Sequence, residues 1–192
     1  RLRLSDIPGP ARGFYLYYKG IDAFGKRSFQ KAASFFSKVP SSSDYYLEAL
    51  FHLGVVANIS GSHSRAIAYF EKVLAGTRGK KQDSEMREMS LMNIARVHYE
   101  KKRYAKSISY YSQIARSSEN WLEALWESSW AFFFMEKFNN SLGNIHTLHY
   151  PFFENRFFPE SYILEAITYL RLCRYGSVKS AMGGFKKRYA PV

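Results

Sequence analysis

The sequence predicts an all-α fold, made of about five stacked helix-turn-helix repeats. Three observations carry that expectation. No stretch of the 192 residues sustains period-two alternation, so there is no strand from which to build a sheet. Apolar residues recur in steps of three and four, interrupted at short turn-forming stretches. A small residue also recurs: Gly20, Gly54, Ala95, Ser129 and Ala166 stand 34, 41, 34 and 37 residues apart.

Companion positions keep step with these anchors. Nine residues after each comes Phe29, His63, Tyr104, Phe138 or Tyr175. Twelve after it comes Ala32, Ala66, Ser107, Ser141 or Val178, and nineteen after it Val39, Val73, Ile114, Leu148 or Phe185. Small residues at the anchor and twelve beyond it let two helices cross closely, and large apolar residues between them fill the space. Val178 breaks the small-residue rule, so the fifth pair is expected to splay.

In chain order, residues 1–12 hold two prolines and a glycine and read as an extended lead-in. A helix is predicted from Phe14 to Lys26, with Ser28 as cap for a second over 29–38, which stops at Val39-Pro40. SSSD at 41–44 reads as loop and cap. Further pairs are predicted over 45–60 and 63–75, 85–102 and 104–117, 120–137 and 139–148, and 160–173 and 175–189. GTRGKKQDS (76–84) reads as a basic loop and HYPFFENRFFP (149–159) as an irregular aromatic connector. The repeats run near 13–46, 47–87, 88–121, 122–158 and 159–192, as one domain over 13–192. The most apolar helix is 120–138. Trp126, Trp130, Phe133 and Phe134 share one face of it, and such a helix must be buried on several sides or hold a ligand.

Composition limits function more than it selects it. Hydrophobic residues make up 46%, enough for a core. Lys and Arg number 28 against 16 acids, a net charge of +12 that favours acidic partners, nucleic acid or anionic lipid without choosing among them. The single cysteine, Cys173, excludes an internal disulfide and reads as a packing residue. No apolar run approaches the ~18 residues of a membrane span. The chain begins at Arg1 without Met and so reads as a processed or trimmed piece.

Leu53-Gly54 followed by Ala66-Ile67-Ala68-Tyr69-Phe70 resembles the W-x2-L-G-x2-Y…A-x3-F pattern of the tetratricopeptide family, whose period is about 34 residues. The longer spacings add their residues around GKKQDSE and YPFFENR, between repeats. The resemblance covers roughly 13–189. It departs from the family in lacking the usual repeat-end Pro and in placing Ser128-Ser129 where Leu-Gly is common. It implies a right-handed α-solenoid. More loosely, Leu47-Glu48-Ala49 and Leu122-Glu123-Ala124 are similar to repeats of bacterial envelope-assembly lipoproteins, which tips the expected compartment toward the periplasm.

The resemblance also implies a concave groove lined by Tyr17, Phe24, Phe51, Asn58, Met92, Arg96, Tyr99, Trp126, Trp130, Phe133 and Phe134. Arg96 and Tyr99 are expected across from Trp126. Aromatic, Met and Arg side chains suit a protein-binding hot spot. The competing reading is that they pack on one another. Tyr17 and Ile21 stand where a carboxylate-binding subclass of the family carries Lys and Asn, which argues against a receptor for C-terminal tails.

No phosphate loop, nucleophile-His-acid signature or metal framework is legible. His146 and His149 are three apart, with Glu154 the nearest acid in sequence, and read as a structural pair. Gly183-Gly184 reads as a weak point or a tight contact. The basic runs Arg78-Lys80-Lys81, Lys101-Lys102-Arg103 and Lys186-Lys187-Arg188 read as solvated faces. The expected function is a non-enzymatic scaffold holding a protein or peptide partner, an acidic one being among the candidates, without cofactor or metal. Nucleic acid is not the expected partner. The alternatives are an anion-binding module for nucleic acid or acidic lipid, and a regulatory domain of a larger protein.

Overall fold

The computed structural model describes residues 7–79 and 84–189. Among them are ten α-helices and no strand. In chain order they are α1 (Gly9–Gly25), α2 (Phe29–Phe36), α3 (Tyr46–Ile59), α4 (His63–Gly76), α5 (Ser84–Glu100), α6 (Tyr104–Tyr111), α7 (Trp121–Phe134), α8 (Phe138–Leu148), α9 (Pro159–Arg171) and α10 (Tyr175–Tyr189). Of these, α1 packs on α2, α3 on α4, α7 on α8 and α9 on α10. The all-α reading holds. The first helix begins at Gly9, five residues before Phe14, because a proline is tolerated in a first helical turn. Residues 1–6 of the expected lead-in lie outside the described residues, as do Lys80 and Lys81.

The second helices α2 and α6 are shorter than the periodicity suggests. Lys38 and Val39 bond back to Phe35 and Phe36 at 3.1 Å, and Gln113 and Ile114 to Tyr110 and Tyr111 at 3.1 Å. These three-residue steps tighten the chain beyond the α-helix. They also carry Val39 and Ile114 into the core.

Each hairpin turn is made the same way. The residue seven after the anchor is left-handed in every pair: Arg27 (φ 55°), Gly61 (71°), Lys102 (55°), Glu136 (57°) and Cys173 (56°). The next amide then donates to a carbonyl five residues back: Ser28 to Ala23, Ser62 to Ala57, Arg103 to His98, Lys137 to Phe132 and Arg174 to Tyr169, at 2.8–2.9 Å. This is a Schellman closure, which satisfies the last carbonyls of the first helix. Ser28 does take the N-cap position of α2, but its side chain makes no capping bond. The SSSD loop gives α3 no side-chain cap either; Ser43 Oγ accepts from the Tyr45 amide at 3.2 Å, ahead of the helix.

The anchors are close crossings. A Cβ on Gly20 would lie 2.4 Å from the Phe36 ring, and one on Gly54 would lie 2.7 Å from the Phe70 ring. Ala32, Ala66, Ser107 and Ser141 are fully buried, with Val39, Val73, Ile114 and Leu148 beneath them. The fifth pair departs: Val178 and Phe185 are only half-buried and Met182 is exposed. Gly184 is the tight contact of its glycine pair, with a Cβ position 2.8 Å from the Tyr162 ring, while Gly183 faces open space.

The chain divides into two compact units, Arg1–Val97 and His98–Val192. The first carries α1–α4 and most of α5. The second carries the last turn of α5 and α6–α10.

Candidate partner-binding surface

In the second unit, α7 is apolar almost all round, and its faces have different tasks. Leu122, Ala124, Ser128, Ser129 and Ala131 are buried. Both serines turn their hydroxyls onto the Leu125 carbonyl, at 3.1 and 2.7 Å, so the polar atoms in the core are paired within the helix. Asn144 of α8 donates to the same carbonyl at 3.2 Å and to Ser128 Oγ at 3.0 Å.

The other face carries the rings. Trp126 and Trp130 are 5.8 Å apart, and Trp130 is 6.1 Å from both Phe133 and Phe134. Phe133 also meets Phe138 at 5.7 Å. Phe134 stacks on Tyr104 at 5.4 Å and meets Tyr99 edge-on at 6.1 Å. Burial, with Tyr104 as a smaller contributor, pushes the Tyr99 phenol up to about 12. The rings therefore do pack on one another, yet Phe134 remains 49% exposed and the two tryptophans and Phe133 are only half-buried.

The structure adds three residues that were not anticipated. Ile163, Ile167 and Leu170 are exposed on α9. Counted from Ala166, they stand where Trp126, Trp130 and Phe133 stand relative to Ser129. Projecting the same register onto the fifth repeat would have found them.

In the first unit the expected groove residues divide. Tyr17 stacks on Tyr45 at 5.3 Å and Phe24 meets Phe29 at 5.6 Å, both half-buried. Phe51 and Met92 are buried and offer no surface to a partner; Phe51 packs on Phe70 at 5.5 Å. Asn58 Oδ1 accepts from His63 Nδ1 at 2.9 Å. Arg96 is exposed on α5. His52 lies inside this cluster, stacked on Phe36 at 5.1 Å, with its Nδ1 donating to the Glu48 carbonyl at 2.8 Å. Burial holds its imidazole below the usual histidine range. Tyr17 is raised, by burial first and then by the Glu48 carboxylate.

The histidine pair finds a different acid from the one expected. Glu165 of α9, not Glu154, lies 3.3 Å from His146 Nε2 and 3.4 Å from His149 Nδ1. His149 stacks on Tyr162 at 3.7 Å and its Nε2 is 2.7 Å from Ser161 Oγ. Ser161 donates its own proton to the Phe158 carbonyl and is fully buried. The cluster ties α8 to α9. Among the described residues no group of three or more His, Cys, Asp or Glu is arranged to hold a metal, and no helix is long and apolar enough to cross a membrane.

Cys173 is exposed at a left-handed turn position, not packed as expected. In the last basic run, Lys186 and Lys187 are exposed. Arg188 is instead a structural ligand: its Nη2 donates to the carbonyls of Phe153, Glu154 and Arg156.

A family model for the tetratricopeptide repeat matches residues 47–75 and 90–120. No curated protein matches the chain by sequence. Among solved structures, the ArsTM double mutant of MamA RS-1 superposes with a TM-score of 0.75 at 13% identity, covering 92% of this chain and 93% of that one. A crystal structure of MamA protein gives 0.75 at 13% identity, covering 95% and 97%. MamA AMB-1 gives 0.70 at 14% identity, covering 94% of each. At such identity the likeness speaks for the fold. Residues 47–75 and 90–120 are tetratricopeptide repeats, and the chain carries the helical-repeat fold of that family.

Proposed function

We propose that the protein is a non-enzymatic scaffold that holds an amphipathic partner segment against α7 and α9. One observation carries this reading. Large apolar side chains stay accessible at equivalent positions of consecutive repeats: Trp126, Trp130 and Phe133 on α7, then Ile163, Ile167 and Leu170 on α9. Exposed apolar surface of this extent marks interaction sites, and aromatic anchors dominate their energetics. Phe134, Tyr99 and Tyr104 extend the surface. The tetratricopeptide architecture supports a protein or peptide ligand, and an excess of twelve positive charges favours an acidic one. In the first unit, Tyr17, Phe24 and Asn58 are half-buried and Arg96 is exposed, a candidate surface of that unit's own, whereas Phe51 and Met92 support the fold. The resemblance of the Leu-Glu-Ala helix starts to envelope-assembly repeats favours a bacterial periplasmic setting.

The test begins with a peptide selected on the immobilised protein and followed by its effect on tryptophan fluorescence. Trp126→Ala with Phe133→Ala should weaken that peptide about 100-fold or more, two hot-spot side chains being removed, while leaving helical circular dichroism intact. A folded double variant that binds as wild type would end the proposal. A variant that melts early would show that the rings serve packing; Ile163→Ser with Leu170→Ser, both exposed, then decides, and undiminished binding by that variant would also end it.

A further inference from the structure

The connector between α8 and α9 carries the most exposed apolar side chains of the described residues. Phe152 is 81% exposed and Phe157 76%, with Tyr150 exposed beside them. An aromatic loop with no task would be expected to fold its rings under. This one is held open by contacts of its own. Phe153 meets Trp121 at 6.2 Å, which fixes the near end, and Phe157 meets Tyr189 of α10 at 5.4 Å, which fixes the far end. Between them the Arg188 guanidinium gathers three carbonyls of the connector, those of Phe153, Glu154 and Arg156. A single 3-10 turn, Pro151–Phe153, stiffens the loop further. Phe152 and Phe157 therefore flank one clamped turn and are presented by it.

The electrostatic setting is one-sided. The chain has no acidic residue after Glu165, against six Lys and Arg: Arg171, Arg174, Lys179, Lys186, Lys187 and Arg188. Lys186 and Lys187 are exposed within the same helical turn as the clamping arginine, and Arg156 is exposed on the loop itself. Arg171 is paired with Glu136 at 3.2 Å, and Glu154 and Glu160 are the acids of the connector and the start of α9.

We infer that this loop and the end of α10 form a docking surface for an anionic phospholipid bilayer. Rings without hydrogen-bonding atoms, standing clear of the surface beside cations, match the boundary between acyl chains and charged headgroups. Lys and Arg close to an anionic membrane add attraction that salt weakens. Nucleic acid fits less well, because single strands are held in grooves where aromatic faces serve as stacking platforms. The surface is separate from the α7 and α9 positions named above, so each can fail without the other.

Vesicle sedimentation tests the inference with the full chain. Phosphatidylcholine vesicles containing phosphatidylglycerol should bind it, and phosphatidylcholine alone should bind it about tenfold less. Phe152→Ser with Phe157→Ser should lower partition into the anionic vesicles about tenfold or more with helical circular dichroism intact. Lys186→Gln with Lys187→Gln should lower it comparably and flatten the salt dependence. A wild-type protein that stays in the supernatant would overturn the inference, as would phenylalanine variants that sediment like wild type. A single-stranded oligonucleotide that binds in place of the vesicles, with the same dependence on Phe152 and Phe157, would replace the bilayer with nucleic acid.

Discussion

Gly54→Ala adds one methyl group at the crossing of α3 and α4, where a Cβ would lie 2.7, 2.8 and 2.9 Å from three carbons of the Phe70 ring. Ordinary carbon contacts are about 3.5–4.0 Å, so the ring has to retreat by roughly 1 Å. It has nowhere to go: Phe70 is fully buried, and Phe51 stands 5.5 Å from it. Overpacking of this kind costs about 1–3 kcal/mol. Replacing a helical glycine by alanine also returns about 1 kcal/mol of backbone propensity, so the two effects must be separated. Gly143 does this, since it is exposed within α8 and its Cβ would meet nothing within 4 Å. The expected result is that Gly143→Ala is stabilising and that Gly54→Ala is less stable than Gly143→Ala by about 1–3 kcal/mol. In thermal melts that gap is roughly 2–12 °C for a chain of this size. Phe70→Leu in the Gly54→Ala background should recover part of the loss, a coupling that a double-mutant cycle reads directly. A Gly54→Ala variant melting at or above Gly143→Ala would refute the close crossing and, with it, the anchor register.

Two further outcomes follow from the turns and the buried ring. Lys102→Gly and Glu136→Gly should each raise stability in urea titrations, by up to about 1 kcal/mol, because a left-handed backbone is strained for any residue with a Cβ, and Gly61→Ala should lower it similarly. His52 is held below its ordinary value, so the folded chain binds fewer protons than the unfolded chain between the two values. Its contribution is full above the ordinary histidine value of about 6.5 and is lost as pH falls through the depressed folded value. Melting temperatures of wild type should therefore drop on acidification more than those of His52→Phe; parallel profiles would mean that the ring is not shielded.

The anchors and their companions were legible because sterics wrote them. Only a small residue fits at an anchor, and where Gly54 meets Phe70 only glycine does; only an apolar residue fits at Val73 or Leu148. Helix boundaries differ from the expected ones where the backbone rather than the side chain decides them, as at the start of α1 at Gly9 and the end of α6 at Tyr111. The candidate surface was half legible. Trp126, Trp130, Phe133 and Phe134 announced themselves by size and spacing. Phe51 and Met92 occupy groove register, yet both are buried, and periodicity carries no record of how deep a face lies. Glu165 was missed as the acid for His146 and His149 because it arrives from the next hairpin, sixteen positions beyond the expected connector's start. Arg188 looked like one more surface cation because a guanidinium that clamps carbonyls and one that faces water are spelled alike.

The left-handed turn residue always stands seven after its anchor, and in the first four pairs a core residue stands nineteen after it, whatever the distance to the next anchor. All variation in repeat length is thus confined to the joints between one hairpin and the next. Each hairpin behaves as a cassette whose internal wiring is closed, the last carbonyls of its first helix having been satisfied at the turn. Length can be added at a joint without rewriting any cassette, which is how residues 149–158 could accumulate aromatic side chains while α8 and α9 kept their register. The same economy makes the joints the natural sites for a tag, an inserted module or a graft, and makes the interior of a hairpin the place where a single added residue would be felt most.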